Sequence, residues 1–328
     1  MMVYIGIGGL AGAAIFGVLY LVFFLKGASL KLPLLGMATC IAVVAVAAVL
    51  LNLPGQEPDS PDVSGAPSQA AESGDPAGPA SRIPDEASVA GQILLDKRGL
   101  VIRTTGFDGN GAFGPELKLR VDNGSDSDVI IQLRNSSVNG YMTDTVCSIE
   151  AAAGAHTEDA VTFLASGLQR CGIETVADME FSFHILDSHR NIFLDSEPAR
   201  VSTSAADTYQ YHFDDSGEEL YRENGVRIVS KGISQDEGGA VLFMENTRDS
   251  AVTIQIKGVS VNGVQMDSIF SQDISAGKRS VYPVAIPGSL LTQNGIQEIS
   301  RMGFTIHAVE QAGQAAVFDT GPLTVQAG

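Results

Sequence analysis

Two apolar runs open the chain. Val3 to Leu25 and Leu34 to Leu53 are each about 20 residues long, enough to cross a bilayer as helices. Beyond Ala90 the pattern changes to period two. Leu117, Leu119 and Val121 alternate with Lys118 and Arg120, Val129, Ile131 and Leu133 alternate next, and Met179, Phe181, Phe183 and Ile185 follow later. Such alternation predicts half-buried strands. A register of 123 residues then repeats the pattern. It carries Asn123 onto Asn246, Ser137-Val-Asn-Gly140 onto Ser260-Val-Asn-Gly263, Gly154 onto Gly277, Gly172 onto Gly295 and Phe181 onto Phe304. For the first hairpin the register is 126, so the loop between it and the next strand is three residues shorter in the second copy. Asn224-Gly225 predicts a tight hairpin, and Ser166 and Ser289 are expected to cap a short helical crossing in each copy.

These elements predict a mainly β protein: two tandem antiparallel β-sandwich domains of immunoglobulin type, with an antiparallel barrel as the alternative, behind two transmembrane helices and a disordered linker. The expected bounds are 1–53 for the membrane anchor, 54–90 for the linker, 91–205 for the first domain and 206–328 for the second. The linker holds seven of the 13 prolines among Ser, Ala, Gly and acidic residues, a mixture too poor in apolar surface to order itself. As a coil it would span roughly 35 Å.

Charge sets the expected topology. The formal charge of the 328 residues is −18, and the first 53 carry only Lys26 and Lys31, so the remainder carries −20. Both lysines lie in the connector 26–33, which the positive-inside tendency places in the cytoplasm, with both termini and the β domains outside. The acidic part repels nucleic acid and leaves basic proteins, cations or neutral glycans as easier partners, or it simply keeps the domains soluble. The expected partners are therefore the membrane and an envelope protein or glycan. Gly8 and Gly12 have the spacing that lets a second helix approach closely.

Asn-x-x-Asp-Ser, Ser-Val-Asn-Gly, Ala-Gly and the Leu…Gly-Ile…Ile…Phe series resemble the membrane-anchored tandem immunoglobulin-like β-sandwich proteins of unknown function found in Gram-positive Firmicutes. The resemblance covers both repeats and implies an ectodomain on a bacterial cell surface; it carries over no active site. Such proteins often reach the membrane by one helix or a lipid, and the two apolar runs depart from that pattern.

No catalytic, cofactor or metal site is expected. Gly109-Asn-Gly111-Ala-Phe-Gly114 has the spacing of a dinucleotide loop but joins two strands and opens no helix. Asp122, Asp126 and Asp128 crowd one turn without an EF-hand spacing. His184 and His307 share a repeat position, which favours packing over metal binding. Cys147 and Cys171 lie in the first copy where the second has Phe270 and Asn294; they would form one disulfide, or stand as two buried thiols. Two features differ between the copies. Val241 and Phe243 replace Lys118 and Arg120, and Tyr209, Tyr211 and Phe213 precede only the second copy. This apolar surface needs cover. Either it buries a contact between the domains, or it forms an aromatic ledge for a glycan or protein. The function expected is a non-catalytic interaction or spacer module on the outer face of the membrane, with an envelope sensor or assembly subunit as the alternative and a wall-directed hydrolase behind both.

Overall fold

The computed structural model describes residues 87–267, 270–311 and 315–327. Both apolar runs, Gly8, Gly12, Cys40 and nearly all of the linker lie outside them. Among the described residues no helix is long and apolar enough to cross a membrane.

The first half runs β1 (Ile93–Lys97), β2 (Leu100–Asp108), β3 (Glu116–Asn123), β4 (Val129–Val138), β5 (Tyr141–Met142), β6 (Thr145–Val146), β7 (Ile149–Ala151), β8 (His156–Phe163), α1 (Ala165–Arg170), β9 (Asp178–Asp187), β10 (Ile192–Asp195) and β11 (Ala199–Ser202). The second runs β12 (Glu218–Glu223), β13 (Val226–Ser234), β14 (Gly239–Asn246), β15 (Val252–Val261), β16 (Val264–Gln265), β17 (Phe270–Ile274), β18 (Arg279–Ala285), α2 (Gly288–Gln293), β19 (Arg301–Glu310), β20 (Ala316–Asp319) and β21 (Leu323–Gln326).

The offset of 123 residues carries β3, β4 and β9 onto β14, β15 and β19, and the loop 109–115 is three residues longer than its counterpart 235–238. Within the first half, β1-β2-β3-β8-β6 form one antiparallel sheet, and β10-β9-β4-β5, with β7 on β4 and β11 on β9, form the facing layer. The second half repeats this as β12-β13-β14-β18 against β20-β19-β15-β16. Alternation fills the space between the layers. Leu117, Leu119 and Val121 meet Ile131, Phe181 and Ile185 in the first core, and Leu242 and Met244 meet Ile254, Phe304 and Ile306 in the second. Each such side chain contributes about 1.5–3 kcal/mol on leaving water.

Asparagines fix the turns. Asn123, 1% exposed, donates from Nδ2 to the carbonyls of Ser127 and Ala151, both at 2.9 Å, and accepts from Ser125 N at 3.0 Å. Asn246 does the same with Ser250 and Ile274, at 2.9 Å each. Asn139 and Gly140, at φ 49° and 81°, make the two-residue hairpin between β4 and β5, and Asn262 and Gly263 make its counterpart. The same Asn139 donates to Thr175 O at 2.7 Å and accepts from Ala177 N at 2.8 Å, stapling the hairpin to the chain entering β9. Asn262 likewise bridges to Glu298 O and Ser300 N. The expected capping by Ser166 and Ser289 does not occur. Leu164 and Pro287 occupy the cap positions with no side-chain cap bond, and both serines lie inside the helices.

Candidate functional site

The second half of the chain lays one sheet against the first half. Tyr141 of β5 pairs in parallel with Arg279 of β18, and Arg279 N donates to Gly140 O at 3.0 Å, so one sheet continues across both halves. Beside that bridge, Val229, Phe243 and Val281 form a cross-strand row on β13, β14 and β18. All three are buried with the first half's core rather than their own. Met142 of β5 reciprocates by packing into the second core. Polar contacts ring this row. Arg170 grips Glu237 through Nε at 2.9 Å and Nη2 at 3.2 Å, Lys278 meets Glu180 at 3.1 Å, and the Tyr282 hydroxyl donates to Asp144 at 3.0 Å.

The aromatic residues before β12 complete the junction. Phe213 is half-buried against Tyr141, with ring centroids 5.4 Å apart, and the Arg279 guanidinium lies 3.8 Å from its ring centre. Tyr209 is half-buried and meets Tyr211 edge-on at 5.0 Å. Tyr211 is 47% exposed, and its hydroxyl donates to the Asp178 carboxylate. Burial, with that bond second, pushes its pKa up to about 12. Val241 is half-buried against the first core. Phe243 is buried in the first half's core, Phe213 and Val241 are half-buried against it, and Tyr211 is exposed.

At the positions matching Val229, Phe243 and Val281, the first half carries Arg103, Arg120 and Glu158. Arg103 and Arg120 pair with Asp122 at 2.6 Å and 2.9 Å, and Glu158 pairs with Arg120 at 3.4 Å. The first half thus carries charge where the second carries its docking row. The variant Arg103→Val, Lys118→Val, Arg120→Phe, Glu158→Val would give the first half the second half's docking face. Size-exclusion chromatography should then show head-to-tail oligomers, because a heterologous contact joins unlike faces of successive copies into rings or open chains. A monomeric variant would show that the row alone does not dock.

Carboxylates clamp the segment entering β12. Lys231 pairs with Asp214 at 2.8 Å, and Arg227 with Asp215 and Glu219, the latter at 3.0 Å. The bond from Lys231 holds Asp214 well below the usual carboxylate range, and Arg222 and Arg227 lower Glu219 from 4.5 to about 2. Carboxyls lowered by folding stabilise fully above their unfolded pKa and lose that contribution as pH falls through the folded value. Hydrogen-exchange protection of residues 214–219 should therefore hold above about pH 5 and fall progressively toward about pH 2.

Cys147 and Cys171 are both free thiols, so the bridge is not formed. Burial raises their pKa to about 12 and about 11, which keeps them protonated and unreactive at neutral pH. His184 and His307 each bind a carboxylate through Nδ1, Asp195 at 2.5 Å and Asp319 at 2.6 Å. Among the described residues no cluster of three or more His, Cys, Asp or Glu could hold a metal ion.

A cleft of about 490 Å³ opens beside the junction, walled by Ser136, Thr143 and Asp144 from the first half and by Gln272, Asp273 and Tyr282 from the second. Burial, with Asp144 next, raises the Tyr282 pKa to about 12, so its hydroxyl stays a donor. The sequence reading missed this cleft, whose walls come from distant segments.

No protein-family model matches the sequence, and no curated protein matches it. Among solved structures, the chain is similar to the YadV chaperone at 11% identity, over 64% of this chain and 91% of that one, with a TM-score of 0.19. A Bacteroides uniformis β-glucuronidase matches at 10% identity over 70% of this chain, with a TM-score of 0.19; the match spans 26% of the enzyme. The fold defines a mainly β protein of antiparallel, sandwich-like sheets over the described residues.

Proposed function

We propose that this chain is a non-catalytic interaction and spacer module: two tandem immunoglobulin-like sandwiches, held as one body, displayed on the outer face of a bacterial membrane by a two-helix anchor and a disordered tether. The observation that carries the spacer reading is the row Val229, Phe243 and Val281, buried in the core of the other half. A flexible pair of beads would need no such row, whereas a module that presents a surface at a set distance and angle does. The two apolar runs, the cytoplasmic-type connector 26–33 and the acidic remainder support the topology.

The test uses the full-length chain in intact cells. Protease added outside should remove the β halves and leave a fragment containing the connector 26–33. Protection of the C-terminal portion in intact cells, with cleavage only after lysis, would contradict the display.

A further inference from the structure

We propose that the cleft at the junction is a binding site for a short, neutral, hydroxyl-rich ligand, a glycan of about disaccharide size. This rests on the reading of the chain as a non-catalytic surface module and names what it binds. Its volume of about 490 Å³ suits a ligand of that size.

The repeat singles out the lining. Ser136 and Thr143 stand where the second half buries Val259 and Met266. The same backbone therefore folds with apolar side chains at both positions, and the two hydroxyls are not a demand of the fold. Thr143 Oγ1 has no hydrogen-bond partner and is closed to solvent, so it meets a ligand hydroxyl only after the side chain turns about χ1, which would remove the cost of the unmade bond. Beside them Asn135 holds φ 55°, a left-handed conformation the second half gives to Gly258. The first half thus places an amide at the rim, at a backbone position where glycine is the easier choice.

The charged groups are pre-oriented. Asp144 accepts from the Tyr282 hydroxyl at 3.0 Å. Asp273 accepts from the Thr253 hydroxyl at 2.6 Å and from the Gln311 amide at 2.8 Å. Both carboxylates are fixed in direction yet retain lone pairs for further donors. Arg134 donates to His184 Nε2 at 2.8 Å, and Asp195 fixes the other side of that imidazole at 2.5 Å. The guanidinium keeps further N–H groups for a ligand oxygen. Fixed acceptors beside fixed donors match vicinal hydroxyls, each of which donates once and accepts once. Net charge argues against an ion. An anion would face Asp144 and Asp273, and a cation would face Arg134. A larger groove of about 690 Å³ on the first half, lined by Ser148 and by the Glu116–Lys118 ion pair, lies away from the junction and serves as an internal control.

Titration calorimetry on the full chain, in a detergent without a sugar headgroup, tests this with cellobiose, maltose and N,N′-diacetylchitobiose as neutral probes. Digalacturonic acid and calcium chloride are the charged ones. At least one neutral disaccharide should bind with a Kd on the order of 1 mM or tighter. Arg134→Ala and Thr143→Val should each weaken it by about tenfold or more, while Ser148→Ala leaves it unchanged. Circular dichroism checks that each variant is folded, and the isosteric Thr143→Val keeps the test open if Arg134→Ala is not. Saturable heat from the charged probes alone, from no probe, or equally in all variants would overturn the proposal. Because the titration does not depend on membrane orientation, its failure is separate from a failure of the display reading, which the protease experiment decides.

Discussion

Replacing Phe243 with arginine, the residue at the matching position 120, is expected to split one unfolding transition into two. Phe243 is 1% exposed and sits in the middle of the row that the second half buries in the first half's core. Truncating a buried phenylalanine costs about 3–5 kcal/mol, and an arginine adds the desolvation of a charge with no carboxylate opposite it. Its cross-strand neighbours are Val229 and Val281, which cannot pair with it. Each half keeps its own interior, since Leu242 and Met244 on the opposite face of β14 remain in the second core. The loss should therefore fall on the coupling between halves. Denaturant unfolding followed by circular dichroism should show a single transition for the native sequence and two for Phe243→Arg. A single unshifted transition in the variant would mean that the row does not hold the halves together.

Replacing Asn123 with alanine should destabilise the first half by about 2–4 kcal/mol, because buried carbonyls of Ser127 and Ala151 lose their donor together. Asn123→Asp, nearly the same shape, should cost at least as much, since it turns an acceptor toward two acceptors. That comparison separates the hydrogen bonds from the volume. Asn246→Ala should act alike on the second half through Ser250 and Ile274. The exposed Asn110→Ala serves as control and should stay within about 0.5 kcal/mol of the native sequence. Chemical-denaturation midpoints measure all four.

Much of the fold was legible in the chain because strands facing one core must alternate, and a duplicated chain states its alternation twice. Leu117, Leu119 and Val121 read as one buried face and are one. Loop lengths followed from the shift of register between hairpins. The short helices misled, since Ser166 and Ser289 have the chemistry of caps but lie one residue inside helices that start at Ala165 and Gly288. The Ser-Val-Asn-Gly motif was visible as a repeat, yet its role was not, because Asn139 bonds to residues about 36 positions away. The junction was half legible. Val241 and Phe243 announced an apolar face by breaking the charge alternation of Lys118 and Arg120, but Val229 and Val281 gave no such sign on their own strands. The strand pairing that carries one sheet across both halves is a parallel bridge between Tyr141 and Arg279, a pairing no local pattern encodes. The cleft was illegible for the same reason. Its hydroxyls and carboxylates come from distant segments, and only the register of both halves brings them to one place.

The proposed spacer role requires the two halves to move as one body. Backbone nitrogen relaxation by NMR on residues 87–328 tests this directly. One rotational correlation time shared by both halves, appropriate to the whole mass, is the expected result. Two shorter correlation times, each suited to a half tumbling on its own, would contradict it.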